Sequence, residues 1–509
     1  MMPMTVGEAA QALAGTLMTQ DGLGDGAITS VVTDSRQVEH GSLFVAIAGE
    51  HVDGHNFVSQ VGESGAVAAL VDHAVPDTSV PQIVVPDTVI ALGQLAKANL
   101  DRRRANGDPF TIVGITGSVG KTTTKDLLHA LLKTEGKTIA PVGSFNNDIG
   151  LPLTALKVSP DTRFLVAEMG ANHMGEIANL ATIARPDIAV VLKVGVAHLG
   201  EFGSVENIQQ AKSEIIRALN HDGEAVLNAD DEHVVPMAEL APGRVYWFGQ
   251  GERAQIRATE VHADAFDRAS FVVMLPQQDK PVSVTLAIPG HHNVMNALAA
   301  ITVAWRLGVP VDRIVSVLAK QSSISPHRMA VSQLHRDGVS FTVIDDSFNA
   351  NPDSMRAGID GLAGWAANGD AGDGEPFRIA VLGSMLELGG DEAELHRQIG
   401  AYAVECGIDA VIGVGSSENS TLDSLAGDIV DGVQDAAAAQ GREVDARLVH
   451  QVNDADDCVM QLAREHAPAV VLLKGSHASG LSALAARWDA LREQENASHT
   501  TSNQNGATR

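Results

Sequence analysis

Short apolar runs, broken by Gly, Asp and Pro, organise this chain from its first strands onward. Between Val31 and about Asp87 the runs GSLFVAIAG, AVAALVD and QIVVPD are separated by turn-forming clusters, which predicts a small mixed α/β unit. Helical periodicity follows in IALGQLAKANLDRRR, and the hydrophilic RRRANGDP reads as a linker into Phe110. From Phe110 to about Ala319 the runs FTIVGI, FLVAEMGA, IAVVLKV and EAVLNAD alternate with helix-period segments. Unbroken apolar runs suit strands buried on both faces, so a largely parallel sheet covered by helices is expected. FTVIDDS, FRIAVLGSM, DAVIGVG and AVVLLKGS repeat the alternation and predict a second, doubly wound sheet of Rossmann-like type. Past Arg492 the polar EQENASHTTSNQNGATR has almost nothing apolar to bury and is expected to be disordered. The fold class is therefore α/β in three domains, 1–108, 109–319 and 320–492, with a tail at 493–509.

Length agrees, because 509 residues exceed what one hydrophobic core supports. Charge narrows the partners. With 35 Lys and Arg against 63 Asp and Glu, the net charge of −28 repels nucleic acid and anionic membrane. Two cysteines, Cys406 and Cys458, are too few for a disulfide framework or a thiolate metal site, so a reducing compartment is the default. The opening MMPMTVGEAAQAL lacks a basic stretch, and no apolar run reaches the ~18 residues of a membrane span. A cytoplasmic protein with no nucleic-acid partner and no membrane insertion is expected, with a monomer as the favoured state.

The stretch TIVGITGSVGKTTTKDLLHALL, Thr111 to Leu132, places a β-rich run before a Gly-rich turn and an amphipathic helix, which gives the central domain a P-loop ATPase character. Gly117 and Gly120 let the backbone wrap an anion closely. The N–H groups of Ser118, Val119 and the helix start attract phosphate oxygens, Lys121 can bridge β- and γ-phosphates, and Thr122 can ligate Mg²⁺. The loop departs from G-x-x-x-x-G-K-[ST], because Ile115 stands where the first glycine belongs. Glu168 and His198 each follow an expected strand, where loops at the carboxyl ends of a parallel sheet gather ligands. Taken alone, Glu168 reads more readily as a capping or surface acid, His198 as a satisfied, partly buried histidine, and Lys212, near Glu214, as a solvated charge. Asn293 and Asn296 lie three apart on one helix face. They could read adenine edges or serve as caps.

The variant T-G-x-x-G-K-T-T at Thr116 to Thr123 resembles the Mur ligases, ATP-dependent amide-forming enzymes of bacterial cell-wall precursor synthesis. Further matches follow in family order: EMGANHMGE from Glu168, KVGVAHLGEFGS with His198, AKSEII with Lys212, GHHNVMNALAA with Asn293 and Asn296, His327 and Arg328, and IDDSFNANPDSM with Asp346 and Ser347. The resemblance implies ATP on Thr116 to Thr123, Asn293, Asn296, Arg328 and Asp346, with the arginine at the phosphates and the aspartate at the ribose. Lys121, Glu168, His198 and Lys212 are then catalytic, Thr122, Glu168, His198 and Lys212 hold two Mg²⁺ ions, and Lys212 is carbamylated.

The first region, TDSRQVEHGSLFVAIAGEHVDGHNF, resembles the uridine-nucleotide domain of the two family members that act on longer peptides. On that likeness Asp34, Ser35 and Arg36, with Asn146 and Asn147 of GSFNNDIGLPLTAL, meet the UDP substrate. The member that adds a third residue carries a D-N-P-R tetrapeptide, which this chain lacks. DDSFNANPDSM and LLKGSHASGL instead resemble the member that joins D-alanyl-D-alanine to UDP-N-acetylmuramoyl-tripeptide, with Asn349, Asn351, Ser354 and Lys474 placed to hold the dipeptide. Competing readings are the third-residue ligase, a folate polyglutamylating ligase, and a P-loop switch protein that uses hydrolysis to change partners. The acidic insertion ANGDAGDGEP is expected to be solvated.

Overall fold

A computed structural model describes residues 1–19, 25–49, 52–195, 198–276, 278, 280–322, 324–365 and 375–506. Three sheets form three lobes along the chain. In the first, the edge strand Thr16–Met18 runs antiparallel to Gln82–Val84, and the other pairings are parallel. The small mixed α/β unit is as expected.

The central sheet has nine strands. Thr111–Thr116 lies in its interior between Thr162–Glu168 and Ile188–Val191, parallel to both, which brings several strand ends to one edge. Alternate residues of Thr111–Thr116 face opposite cores: Ile112 packs with the N-terminal lobe's side, Val113 and Ile115 with the side covered by the helix Asn293–Arg306. An antiparallel meander, Ile256–Ala263, Arg268–Met274 and Val282–Pro289, extends the far edge beyond the parallel strands anticipated. Its strands are buried on one face, so their side chains alternate in burial and make no continuous apolar run.

The third sheet has six strands, parallel except for the edge hairpin Ala330–Arg336 with Val339–Asp345. Separate cores cover its two faces, as a doubly wound sheet requires. The final helix Leu481–Gly506 packs Leu481, Leu484 and Trp488 into this lobe. Its backbone stays helical into the polar stretch where a disordered tail is expected, since extending a helix from a packed first half costs less than nucleating one. The acidic insertion lies largely outside the described residues.

The hydrophilic linker before Phe110 is a structural joint. Arg103 is buried, donates to the carbonyls of Thr162, Asp108 and Pro109, and stacks over Phe110. Arg104 pairs with Asp187 at 3.0 Å. The helix Thr88–Ala105 thus shares one core with both lobes, through Leu92 and Leu95.

Candidate active site

The loop leaving Thr111–Thr116 turns through Gly120 into the helix Lys121–Leu132. Gly120 has φ of +83°, and a Cβ there would lie 2.1 Å from Asn296 Oδ1, so both conformation and space demand glycine. Asn296 accepts from Thr124 Oγ1 at 3.4 Å and donates to Asn293 Oδ1 at 2.8 Å, while Asn293 donates to Pro289 O. Both asparagines line the cleft, and Asn296, held by Asn293, braces the phosphate loop. Ser118 Oγ accepts from Gly195 N at 2.9 Å, tying the loop to the strand end that leads to His198.

Lys121 donates to Gly117 O at 2.7 Å, and burial pushes its pKa down despite the Glu168 charge. Thr122 Oγ1 and Asn146 Nδ2 both donate to Glu168 Oε1, at 3.2 and 2.9 Å. Glu168 is fully buried, and its other oxygen, Oε2, has no partner. Such an orphaned carboxylate oxygen fits a divalent cation beside the Thr122 hydroxyl. Arg328 reaches Thr122 Oγ1 at 3.4 Å and stacks over Phe348, leaving its buried Nε without a partner, which suits a phosphate.

Lys212, on the helix Val205–Arg217, is buried rather than solvated, and Glu214 turns away to accept from Gly175 N and Ala178 N. Among the described residues no carboxylate pairs with Lys212. Burial, then the nearby Lys121 charge, pushes its amine down to about 7. His198 has φ of +57° at the start of Leu199–Phe202 and donates through Nδ1 to the Glu387 carboxylate of the third lobe. That contact leaves Nε2 free as a lone-pair donor. Beside it Gly200 N donates to Glu387 O, and a Cβ on Gly389 would lie 2.3 Å from Gly200 Cα.

Lys121, Thr122, Glu168, His198, Lys212 and Arg328 line a cleft of about 880 Å³ between the central and third lobes. Asn147 also lines it, and its Oδ1 accepts from Gly150 N at 2.9 Å. Asp346 and Lys474 form an ion pair with each other, and Lys474 also donates to Asn349 O. The Lys474 charge, expected to hold a substrate carboxylate, is therefore already matched. Asn351 and Ser354 cap the helix Pro352–Ala363 reciprocally while lining the cleft. Asp34, Ser35 and Arg36 lie away from it in the first lobe. There Asp34 caps the turn Ser35–Gln37, and its hydrogen bonds to Arg36 pull its carboxyl down to about 2. Sequence reasoning missed Glu387, Lys193, which pairs with Asp353 at 3.2 Å, and Arg356. Helical spacing in NPDSMRAGID was the available signal for Asp353 and Arg356.

A phosphate loop and a buried carboxylate in a cleft walled by the third lobe define an enzyme that uses ATP to activate a second substrate. The chain belongs to the Mur ligase family of ATP-dependent peptide ligases: the Mur ligase middle domain matches residues 115–304, the glutamate ligase domain 327–477 and the catalytic domain 27–99. It is 38% identical over 507 residues to the UDP-N-acetylmuramoyl-tripeptide–D-alanyl-D-alanine ligase of Mycobacterium tuberculosis (strain H37Rv), covering 95% of this chain and 97% of that one. The enzyme of that name from Escherichia coli K12 is 35% identical over 395 residues, 77% of this chain and 82% of its own. Among solved structures, MurF from Acinetobacter baumannii superposes with a TM-score of 0.79 at 32% identity over 96% of this chain and 98% of that one. MurF from Thermotoga maritima in complex with ADP gives 0.72 at 28% identity, over 94% and 100%. The three-lobed α/β fold expected from sequence is the fold of these neighbours. Among the described residues no helix is long and apolar enough to cross a membrane.

Proposed function

We propose that this enzyme joins D-alanyl-D-alanine to UDP-N-acetylmuramoyl-tripeptide, giving the pentapeptide precursor, ADP and phosphate in the cytoplasm. The carrying observation is the shared cleft, in which the phosphate loop, Glu168, His198 and Lys212 lie opposite residues of the third lobe. The named relatives, similar over almost the whole chain, supply the substrates.

A carboxylate is a poor electrophile. Its oxygen attacks the γ-phosphorus, the bond to the ADP oxygen breaks, and an acyl phosphate results. The dipeptide amine then attacks the acyl carbon, phosphate leaves with the bonding pair, and the amine proton is lost as the amide forms. The loop N–H groups and Lys121 hold the β- and γ-oxygens, and Arg328 adds positive charge beside Thr122, a positioning and electrostatic task. Closure through the Glu387 loop would keep water from the acyl phosphate. Two Mg²⁺ ions, one held by Thr122 and Glu168 and one by His198 and Lys212, would offset the repulsion between carboxylate and phosphate.

For Lys212 to serve as an oxygen ligand, its neutral amine adds to CO₂, releasing a proton and leaving a carbamate. A buried amine with no carboxylate partner among the described residues favours that chemistry. Asp34, Ser35 and Arg36 are assigned to the uridine end of the substrate, and Asn293, Asn296 and Asp346 to the nucleoside of ATP. The test mixes purified protein with ATP, UDP-N-acetylmuramoyl-tripeptide and D-alanyl-D-alanine and weighs the product. A pentapeptide is expected. Extension of a UDP-muramoyl-dipeptide by one amino acid, with the dipeptide substrate ignored, would assign the sister activity instead.

A further inference from the structure

The dipeptide has a terminal carboxylate that must be held while its amine reaches the acyl carbon. Two lysines that line the cleft, Lys474, expected to hold the dipeptide, and Lys193, are already paired. Lys474 is buried against Asp346, and Lys193 pairs with Asp353. Arg328 stands at Thr122, on the phosphate side. Among the described residues one cation of the third lobe's wall remains, Arg356.

The helix Pro352–Ala363 turns one face to the cleft, with Asp353, Arg356, Ala357 and Asp360 at helical spacing. Arg356 is half-buried and lies 4.4 Å over the Tyr402 ring. Tyr402 is in turn fixed by its hydroxyl, which donates to Asp360 Oδ1, so the platform under the guanidinium does not rotate freely. Asp360, one turn beyond Arg356, spends that oxygen on Tyr402 and on the Cys406 thiol at 3.8 Å. Among the described residues the Arg356 guanidinium makes no hydrogen bond and no ion pair. Stacking occupies its face and leaves its edge, the five-donor fork that matches a carboxylate in two parallel hydrogen bonds.

We infer that Arg356, stacked on Tyr402, is the subsite for the terminal carboxylate of the incoming peptide. The inference rests on the ligase reading above and adds the residue that makes a free C-terminus a requirement. It also explains the ring beneath the arginine: an oriented guanidinium loses less freedom on binding than a solvated one.

The experiment compares wild type with Arg356→Ala and Arg356→Lys, using D-alanyl-D-alanine and its C-terminal amide as alternative amine substrates. A charge-assisted contact of this kind is worth about 10–100-fold. Arg356→Ala should raise the KM for D-alanyl-D-alanine by that factor while leaving the KM values for ATP and UDP-tripeptide near wild type. The lysine variant should recover part of the loss. Wild type should favour the acid over the amide by a similar factor, and Arg356→Ala should barely distinguish them. If wild type uses the dipeptide but Arg356→Ala keeps both its KM and its preference for the acid, the subsite is elsewhere. A wild-type enzyme that ignores the dipeptide overturns the ligase reading itself, and the subsite with it.

Discussion

Lys474, buried, and Asp346, half-buried, meet as an ion pair on the third lobe's side of the cleft, where Lys474 Nζ also reaches the carbonyl of Asn349. Asp346 follows the strand Val339–Asp345 and Lys474 ends the strand Ala469–Lys474, and their parallel pairing aligns the two ends. Removing one member leaves the other desolvated and alone. Lys474→Ala should therefore destabilise the protein by roughly 3–5 kcal/mol, whereas replacing both residues with apolar ones of similar volume should recover much of that loss. Denaturant melts of the single and double variants check this. Equal stability of Lys474→Ala and wild type would contradict the pairing.

Lys121→Ala should leave the fold intact and lower turnover by roughly 10²–10³, the cost of losing one preorganised donor to transition-state charge. Phosphate release with all three substrates, measured beside a circular dichroism spectrum, reads both parts.

At Gly120 the phosphate loop has no room for a side chain, because Asn296 Oδ1 occupies the space a Cβ would take. Gly120→Ala should weaken ATP binding at least as much as Asn296→Ala does. In the double variant part of the loss should return, since the clash is gone and only the backbone conformation remains strained. Calorimetric titration with a non-hydrolysable ATP analogue separates the three.

Lys212→Ala should lose activity that millimolar acetate or formate partly restores, because a small carboxylate can take the place of the carbamate oxygens. A second reading comes from ¹³C NMR of wild type under ¹³CO₂, where a carbamate resonance should appear and be missing in the variant. A fully active alanine variant would reduce Lys212 to a packing residue.

Gly200 and Gly389 touch backbone to backbone across the two lobes. Gly200→Val inserts a wedge at that contact and should hold the lobes apart. The radius of gyration from small-angle scattering with ATP analogue and UDP-tripeptide bound should exceed that of wild type, with turnover reduced and the melting temperature little changed.

The parallel strands were legible because each is buried on both faces and spells an unbroken apolar run. Phe248 and Val273, by contrast, belong to one core, yet only the strand containing Phe248 adjoins the parallel set; Val273 sits in a one-faced meander whose alternation was overlooked. That the phosphate loop, Glu168, His198 and Lys212 meet at one cleft was legible because each lies in a motif of a few neighbouring residues, although the burial of Lys212 was not. Glu387 lies in none, since its meaning comes from His198, 189 positions away. Lys212 and Arg103 misled for a simpler reason: a charged side chain reads as solvated, and only packing shows when one is enclosed.

Arg103 also limits how this chain can be cut and recombined. By pinning the end of one helix to the carbonyls of Thr162, Asp108 and Pro109, it turns the first junction into a weld. A chimera spliced at residue 108 would carry away Leu92 and Leu95 and strip the central lobe of part of its own lining. A splice before Asp87, which caps that helix, respects the physical seam and is the place to graft a different first lobe.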